Sequence, residues 1–336
     1  MSTPKPRLAV VGENVMDLLP TRHGADVLRA VPGGGPANTA VAAARLGVPT
    51  RFLARIGNDA FGGIIRERLL SEGLDPRGLF DAEEPSALAL ATLGSDGAAR
   101  YDFRMDDAAD WRWRPDELPA QLDPEVTALH AASIALFREP GATLVEMMLQ
   151  REHARGKVTV TLDPNIRHDV IGDPDTARSL VFGHAAHTHV FKASDEDLEF
   201  LCPNLPPDRA ARAIAELGPE LVVVTRGAQG ALALLGGTEV TVPAPETEVV
   251  DTVGAGDSFM GALLCRLDRE GRLGEDPRAR LSELEPTEVK EMLSFAVCAA
   301  AHTVTREGAD PPTSEELRAV MAVSGQVGRR GNPSPI

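Results

Sequence analysis

Cysteine and aromatic residues are scarce in this chain: three Cys, and 4% Phe, Trp and Tyr, in 336 residues. Cys202, Cys265 and Cys298 stand far apart, with no CxxC and no metal-type spacing. That pattern excludes a disulfide framework or a structural zinc site and reads as buried free thiols in a reducing cytoplasm. No run of Lys or Arg exceeds two, and the formal net charge is −16. Such a surface repels nucleic acid and anionic lipid, so neither is expected as a partner. No apolar stretch reaches membrane length, and in MSTPKPRLAVVGENVMDLLP the apolar run is too short and too polar for a signal peptide or a span. The eight His show no ligand spacing, and HAAHTH (184–189) reads as surface.

Three nucleotide motifs are also missing. There is no GxxxxGK[ST] phosphate loop and no protein-kinase motif set. GGGPAN carries Asn38, and GAGDSF carries Phe259, where a dinucleotide fingerprint needs its third Gly. No repeat of solenoid period is found.

What the chain has is alternation. RLAVVG, TRFLARIG, VTVTLDPN, THVFKAS and ELVVVTRG read as buried strands, and GGGPANTAVAAARLGVP, DAFGGIIRERLLSEGLD, EPGATLVEMMLQREHARG, SDEDLEFL, PDRAARAIAELG, SFMGALLCRLDREG and TEVKEMLSFAVCAAAHTVT as helices. GALALLGG and EVTVPAP read as a hairpin, and EGRLGEDPRARLSELEP as a charged connection. Alternation of this kind predicts one α/β domain over 1–325, with a central, mostly parallel sheet covered by helices on both faces. Segments near 13–32 and 86–105 interrupt it as extended runs, the second turning at Ser95-Asp96-Gly97, and read as a small β-lid. The tail 326–336 reads as disordered. In such a sheet ligands sit at the carboxyl ends of the strands, where Asp17, Asp163, Asn165, Lys192, Thr225 and Asp251 to Asp257 fall.

The stretch DTVGAGDSFMGALL (251–264) carries the chemistry. Gly254 and Gly256 permit positive φ and block nothing. A helix starting near Ser258 leaves its first N–H groups free and its dipole positive, a cradle for a phosphoryl group. Asp257 then stands beside that cradle. Taken alone, Asp257 reads as a helix N-cap. Read with the cradle, it orients an attacking hydroxyl and accepts its proton, while the amides stabilise the migrating charge. The helix N-terminus is expected to lower its pKa.

With these residues in view, the chain resembles the ribokinase-type (PfkB) carbohydrate kinases. DTVGAGDSFMGALL is similar to their C-terminal signature and GGGPANTAVAAARLGVPTRFLARIGNDAFG (33–62) to their N-terminal one. DPNIR, FKASDEDLEFL, VVVTRGAQGALAL and VTREGAD follow in the expected order. The resemblance spans roughly 7–320. It implies a nine-stranded or similar core with a β-lid, and ATP- and Mg²⁺-dependent phosphorylation of a primary sugar hydroxyl. By resemblance, Asp257 would be the base and Gly254, Ala255 and Gly256 the anion hole. Asp17, Gly33, Gly34 and Asn38 would hold the sugar, with Arg104 reaching it from the lid and Asp163, Asn165 and Arg167 adding contacts. Lys192 would approach the nucleotide phosphates, and Ser194, Thr225, Gly227 and Gly230 would line the nucleotide. Asp197, with Ser194 in place of the usual Asn, would hold Mg²⁺ through water. Asp251 would touch the sugar or a monovalent cation such as K⁺, with carbonyls near Gly308.

Each assignment has a plainer alternative: Asn38 as a helix-start residue, DPNIR as an Asx turn, Lys192 as a snorkelling side chain, Arg104 and Arg167 as surface cations. GENVMDLLP, DFRMDDAADW and DPNIR are most similar to the fructokinase and 2-keto-3-deoxygluconate kinase branch, and the scarcity of aromatics favours a sugar over a nucleoside. The expectation is a cytoplasmic fructokinase, homodimeric through its lid. Ribokinase or nucleoside kinase specificity, and a sugar sensor without turnover, remain as alternatives.

Overall fold

The computed structural model describes residues 5–21, 24–93 and 99–330. Among them, nine strands build the central sheet: β1 (Leu8–Val11), β4 (Thr50–Ile56), β5 (Leu79–Asp81), β8 (Ala128–Ala132), β9 (Thr159–Asp163), β10 (Val190–Ser194), β11 (Leu221–Thr225), β12 (Ala231–Leu235) and β13 (Thr238–Val242). Their order is β13-β12-β11-β10-β9-β8-β1-β4-β5. Strands β5 to β11 along this order run parallel, and β12 and β13 close the edge as an antiparallel hairpin. The mostly parallel sheet predicted by the alternation is therefore present.

Helices α1 (Gly35–Arg45), α2 (Ala60–Ser71), α3 (Gly141–Arg155), α4 (Pro174–Ala185), α5 (Asp195–Leu201), α6 (Pro207–Ala215), α7 (Ala255–Arg269), α8 (Pro277–Ser282), α9 (Pro286–Thr303) and α10 (Ser314–Arg330) flank it. Strand side chains alternate, so β1 feeds two cores at once. Leu8 and Val10 join α1, α7 and α9 on one face, while Ala9 and Val11 join α3 to α6 on the other. Burial on both faces explains why these strands read as continuous apolar runs. All three cysteines are free thiols, and Cys265 is buried.

A second sheet of four strands, β3-β2-β6-β7, is formed by β2 (Val15–Thr21), β3 (Gly24–Gly33), β6 (Ala87–Leu93) and β7 (Ala99–Arg104). The turn expected at Ser95-Asp96-Gly97 lies outside the described residues. Asp17 pairs with Ala89, and Ala89 with Phe103, so these three share one face of the sheet.

Two expectations are corrected. The backbone is helical through Arg330, so 326–330 belong to α10, while 331–336 lie outside the described residues. Once a helix is nucleated, each further residue adds one hydrogen bond, and propagation carries α10 past the position where composition alone marks a tail. The charged connection 270–286 contains α8, opened by Pro277 at its first position. No helix among the described residues is long and apolar enough to cross a membrane.

Helix α7 is the structural hinge pin of the site. Phe259, Met260, Leu263, Leu264 and Leu267 are all at most 1% exposed, each burial contributing roughly 1.5–3 kcal/mol. It lies against the alanine-rich α1 at a close crossing. A Cβ on Gly261 would stand 2.6 Å from the Ala42 Cβ and 2.9 Å from the Ala43 backbone nitrogen. Gly261→Ala therefore overpacks the crossing and is expected to destabilise the protein by about 1–3 kcal/mol. Urea unfolding checks this, and unchanged stability contradicts the close approach.

Candidate active site

Strand β1 lies between β4 and β8, although the chain reaches β4 long before β8. Sheets of this type bind ligands at the carboxyl ends where the strand order reverses. A cleft of about 480 Å³ opens there, bounded by the Glu13 turn after β1, Ser133 after β8, Asn165 to Asp169 after β9, the inner face of the small sheet and the start of α7. Val15, Ala89, Phe103, Met105 and Ile134 give it an apolar wall, and Glu13, Asp17 and Asp257 line it as well.

Asp257 is not a cap. Helix α7 begins at Ala255, three residues earlier than expected, with Gly254 as its N-cap at φ 76 and no side-chain cap hydrogen bond. Only glycine takes that left-handed conformation without strain. Gly256, by contrast, is ordinary helix, and its missing side chain serves a different end: a Cβ there would lie 3.1 Å from the Lys192 Nζ. Asp257 falls in the first turn, buried at 8% exposure, and its Oδ2 accepts a 3.0 Å hydrogen bond from the Asn38 Nδ2 on α1. The expected lowering of its pKa is corrected: burial raises it, against the hydrogen bond from Asn38 and the charges of Arg167 and Lys192. The Asn38 Oδ1 is buried with no hydrogen-bond partner, a group that a ligand hydroxyl would satisfy.

Behind this pair, Lys192 and Asp163 form a buried ion pair at 2.7 Å. Burial opposes the Lys192 charge, but Asp163, Asp197 and Asp257 outweigh it and raise its pKa. Burial pushes Asp163 up to about 6 in spite of Lys192. Asp163 also accepts from the Asn165 backbone N–H at 3.1 Å, so the Asx turn in DPNIR is real, and it presents Asn165 and Arg167 to the cleft. Asp163 itself does not line it.

On the side of the small sheet, Asp17 is half-buried, and burial raises its pKa to about 6 against Arg68 and Arg167. A Cβ on Gly33 would come within 2.2 Å of the Asp17 Oδ2. Gly34 is the N-cap of α1 and lines the cleft. Two expected contacts are not brought here. Arg104 follows Phe103 on β7, so alternation turns it to the other face, where it is 70% exposed and paired with Asp102. The Asp251 carboxylate accepts from the Val253 and Gly308 backbone N–H groups at 3.1 and 2.8 Å, tying two loops together outside the cleft.

On the opposite side, Ser194 and Asp197 make a capping box at the start of α5. Asp197 accepts from the Ser194 N–H and Oγ and from the Ile166 N–H, all within 2.8 Å. These bonds hold Ser194 and Asp197 to each other and tie Asp197 to the backbone after β9. Thr225 ends β11 beside Ser194, Gly227 follows at φ 48 with open space around it, and Gly230 is packed against the Val242 carbonyl at the β11–β12 turn. Gly230 is thus a turn residue. Among the described residues no group of three or more His, Cys, Asp or Glu could hold a metal ion.

Sequence reasoning passed over Glu13 and Asp110. Glu13 lines the cleft at 1% exposure and accepts from the Ala135 N–H at 3.1 Å. Asp110 accepts from the Asn14 N–H at 2.7 Å, and its Oδ2 is buried without a partner. Burial raises both to about 7, and Glu13 adds to the shift at Asp110. The available signal was a Glu directly after an apolar strand, in VVGEN.

Residues 5–316 match the pfkB family of carbohydrate kinases. The chain is 33% identical over 330 residues to probable fructokinase-3 of Arabidopsis thaliana, covering 96% of this chain and 92% of that protein. It superposes on a fructokinase with bound ATP from Xylella fastidiosa at TM-score 0.85, with 26% identity, covering 95% and 98% of the two chains. It is also similar to a fructokinase double mutant from Vibrio cholerae O395 in a form with fructose, ADP and potassium ion bound, at TM-score 0.79 and 29% identity, covering 96% and 99%.

Glu13 and Asp110 hold protons more tightly folded than unfolded. The stability they contribute is complete below the ordinary carboxylate pKa of about 4 and is lost as pH rises through about 7. Asp110→Asn removes one of these losses. The change in Tm from about pH 5 to about pH 8 should therefore be less unfavourable in the variant than in the parent; an equal or greater fall contradicts the assignment.

Proposed function

The chain belongs to the pfkB family of carbohydrate kinases, and from that premise we propose that it is an ATP-dependent fructokinase. It moves the γ-phosphoryl group of ATP to a primary hydroxyl of fructose. The observation that carries this reading is Asp257: a buried carboxylate in the first turn of α7, beside free amides, and held by Asn38 from the other signature.

Fructose is neutral and rich in hydroxyls, and the cleft suits it. Asp17, Glu13 and the free Oδ1 of Asn38 are acceptors, Gly34 lets the sugar approach the backbone, and Phe103 and Met105 cover the apolar face of the ring. The amides of Gly256 and Asp257 take the charge on the migrating phosphoryl oxygens, while the Ala255 N–H is shared with the Thr252 carbonyl at 3.3 Å. Asp257 orients the attacking hydroxyl and receives its proton, a step its raised pKa assists. Lys192, kept charged by Asp163, stands behind Gly256 and stabilises the phosphate side. Thr225 and Gly227 line the nucleotide. Among the described residues no cluster of three or more His, Cys, Asp or Glu would hold a resident metal ion, so Mg²⁺ would arrive with the nucleotide and would supply neutralisation of phosphate charge. A K⁺ ion suits the two loops that Asp251 ties together at Gly308.

The free thiols support a cytoplasmic location. Val27 and Leu28, exposed at 48% and 41% on the edge strand β3, support a homodimer through the small sheet.

Asp257→Asn is expected to lower kcat by about 10²–10⁴-fold while the sugar KM changes little; a near-normal kcat contradicts the base assignment. ADP release measured across a panel of fructose, ribose, 2-keto-3-deoxygluconate and nucleosides tests the substrate. Fructose should give the highest kcat/KM. Binding of fructose without ADP release would instead mark a sensor.

A further inference from the structure

Arg68 on α2 joins the two sides of the cleft without lining it. Its Nη1 donates to the Pro32 carbonyl and its Nη2 to the Ala309 carbonyl, the latter at 3.1 Å. Pro32 is the next-to-last residue of β3, which continues through Gly33, beside Asp17, into Gly34 at the start of α1. Ala309 packs on the other side: a Cβ on Gly254 would lie 2.5 Å from its Cβ. Its neighbour Gly308 is bonded to Asp251. The same loop is braced by Arg45 of α1, which donates to Asp310 and to the Pro311 carbonyl while gripping Glu72, the C-cap of α2, through two hydrogen bonds. Burial disfavours the Arg68 charge, and Arg45 adds to this, against Glu72, Asp310 and Asp17. A guanidinium stays charged in proteins, and its planar fork reaches two fixed acceptors as an ammonium cannot.

We propose that Arg68 is a positioning residue for phosphoryl transfer, setting the distance between the Pro32–Gly34 segment on the sugar side and the Ala309–Gly254 contact on the phosphoryl side. It deepens the fructokinase reading and rests on it for the catalytic readout only. Two carbonyls from segments far apart in sequence meet one side chain, so Arg68 ties the two segments to each other directly, between the more exposed Arg29–Glu307 ion pair and the Arg45 brace.

Arg68→Met and Arg68→Lys, made in the full chain, test this. In the ligand-free protein, hydrogen–deuterium exchange at the amides of 33–35 and of 308–310 should rise together in Arg68→Met. With fructose and ATP, kcat should fall about 10²-fold, the effect of roughly 1 Å of misplacement, while the separate Kd values for fructose and for ADP change less than about threefold. Arg68→Lys keeps the charge but lacks the planar fork whose two nitrogens reach the two carbonyls, so it should not restore kcat. Parental kcat in both variants overturns the proposal, as does exchange rising in one segment alone, or a loss of affinity that accounts for the loss of rate. If Arg68→Met does not fold, Arg68→Lys carries both readouts. If the parent phosphorylates no sugar, the fructokinase reading fails, and the exchange result alone decides on the bridge.

Discussion

The hydrogen bond from Asn38 to Asp257 is the contact on which this architecture turns. It joins the first turns of two helices from opposite ends of the chain, and it exists only because α1 and α7 cross closely. Alanines on α1 and Gly261 on α7 permit that crossing, and the apolar side of α7 makes it rigid by burial. A carboxylate on a mobile loop would be hydrated and weakly basic. Here it is desolvated, oriented by one donor, and aimed into a cleft whose other wall belongs to a separate small sheet.

An acidic protein that handles an anionic nucleotide must meet negative charge locally. The formal charge of −16 cannot attract ATP. On the proposed reading, three features answer this without a basic surface. The helix N-terminus offers backbone N–H groups and a positive dipole end. Lys192 is a cation whose charge is secured by Asp163 from below. Arg167 reaches the cleft from the Asx turn that Asp163 itself caps. One carboxylate thus both retains the lysine and shapes the turn that carries the arginine. Glu13 and Asp17, which line the cleft with Asp257, have their pKa values raised by burial, which suits hydrogen bonding to hydroxyls.

Much of this was legible in the sequence where local pattern and tertiary role coincide. Parallel strands buried on both faces show as apolar runs, and α7 shows as a Gly-Ala-Gly start with an apolar stripe. Strand β8 was missed because Ala-Leu-His-Ala-Ala has small residues and a histidine where β-branched ones would signal a strand. Helix α8 was hidden by its short length and its charged surroundings. Arg104 was misjudged because a one-residue step along a strand changes its face, and composition does not set that register. At Ser194 and Asp197 a metal-water motif and a capping box use the same kinds of residue at the same spacing, so the sequence alone does not separate them. Glu13 was marked only by its place directly after an apolar strand, and Asp110 and Arg68 could not be found from spacing at all, since their significance lies in what is packed against them.

The central claim is that Asp257 faces the attacking hydroxyl while the first-turn amides of α7 face the phosphate. A crystal structure of the protein with fructose and ADP measures this directly. The account predicts a fructose primary hydroxyl within about 3 Å of an Asp257 carboxylate oxygen, and the ADP β-phosphate directed at Ala255 and Gly256. A sugar hydroxyl turned away from Asp257, or a nucleotide phosphate lying away from the start of α7, would contradict it.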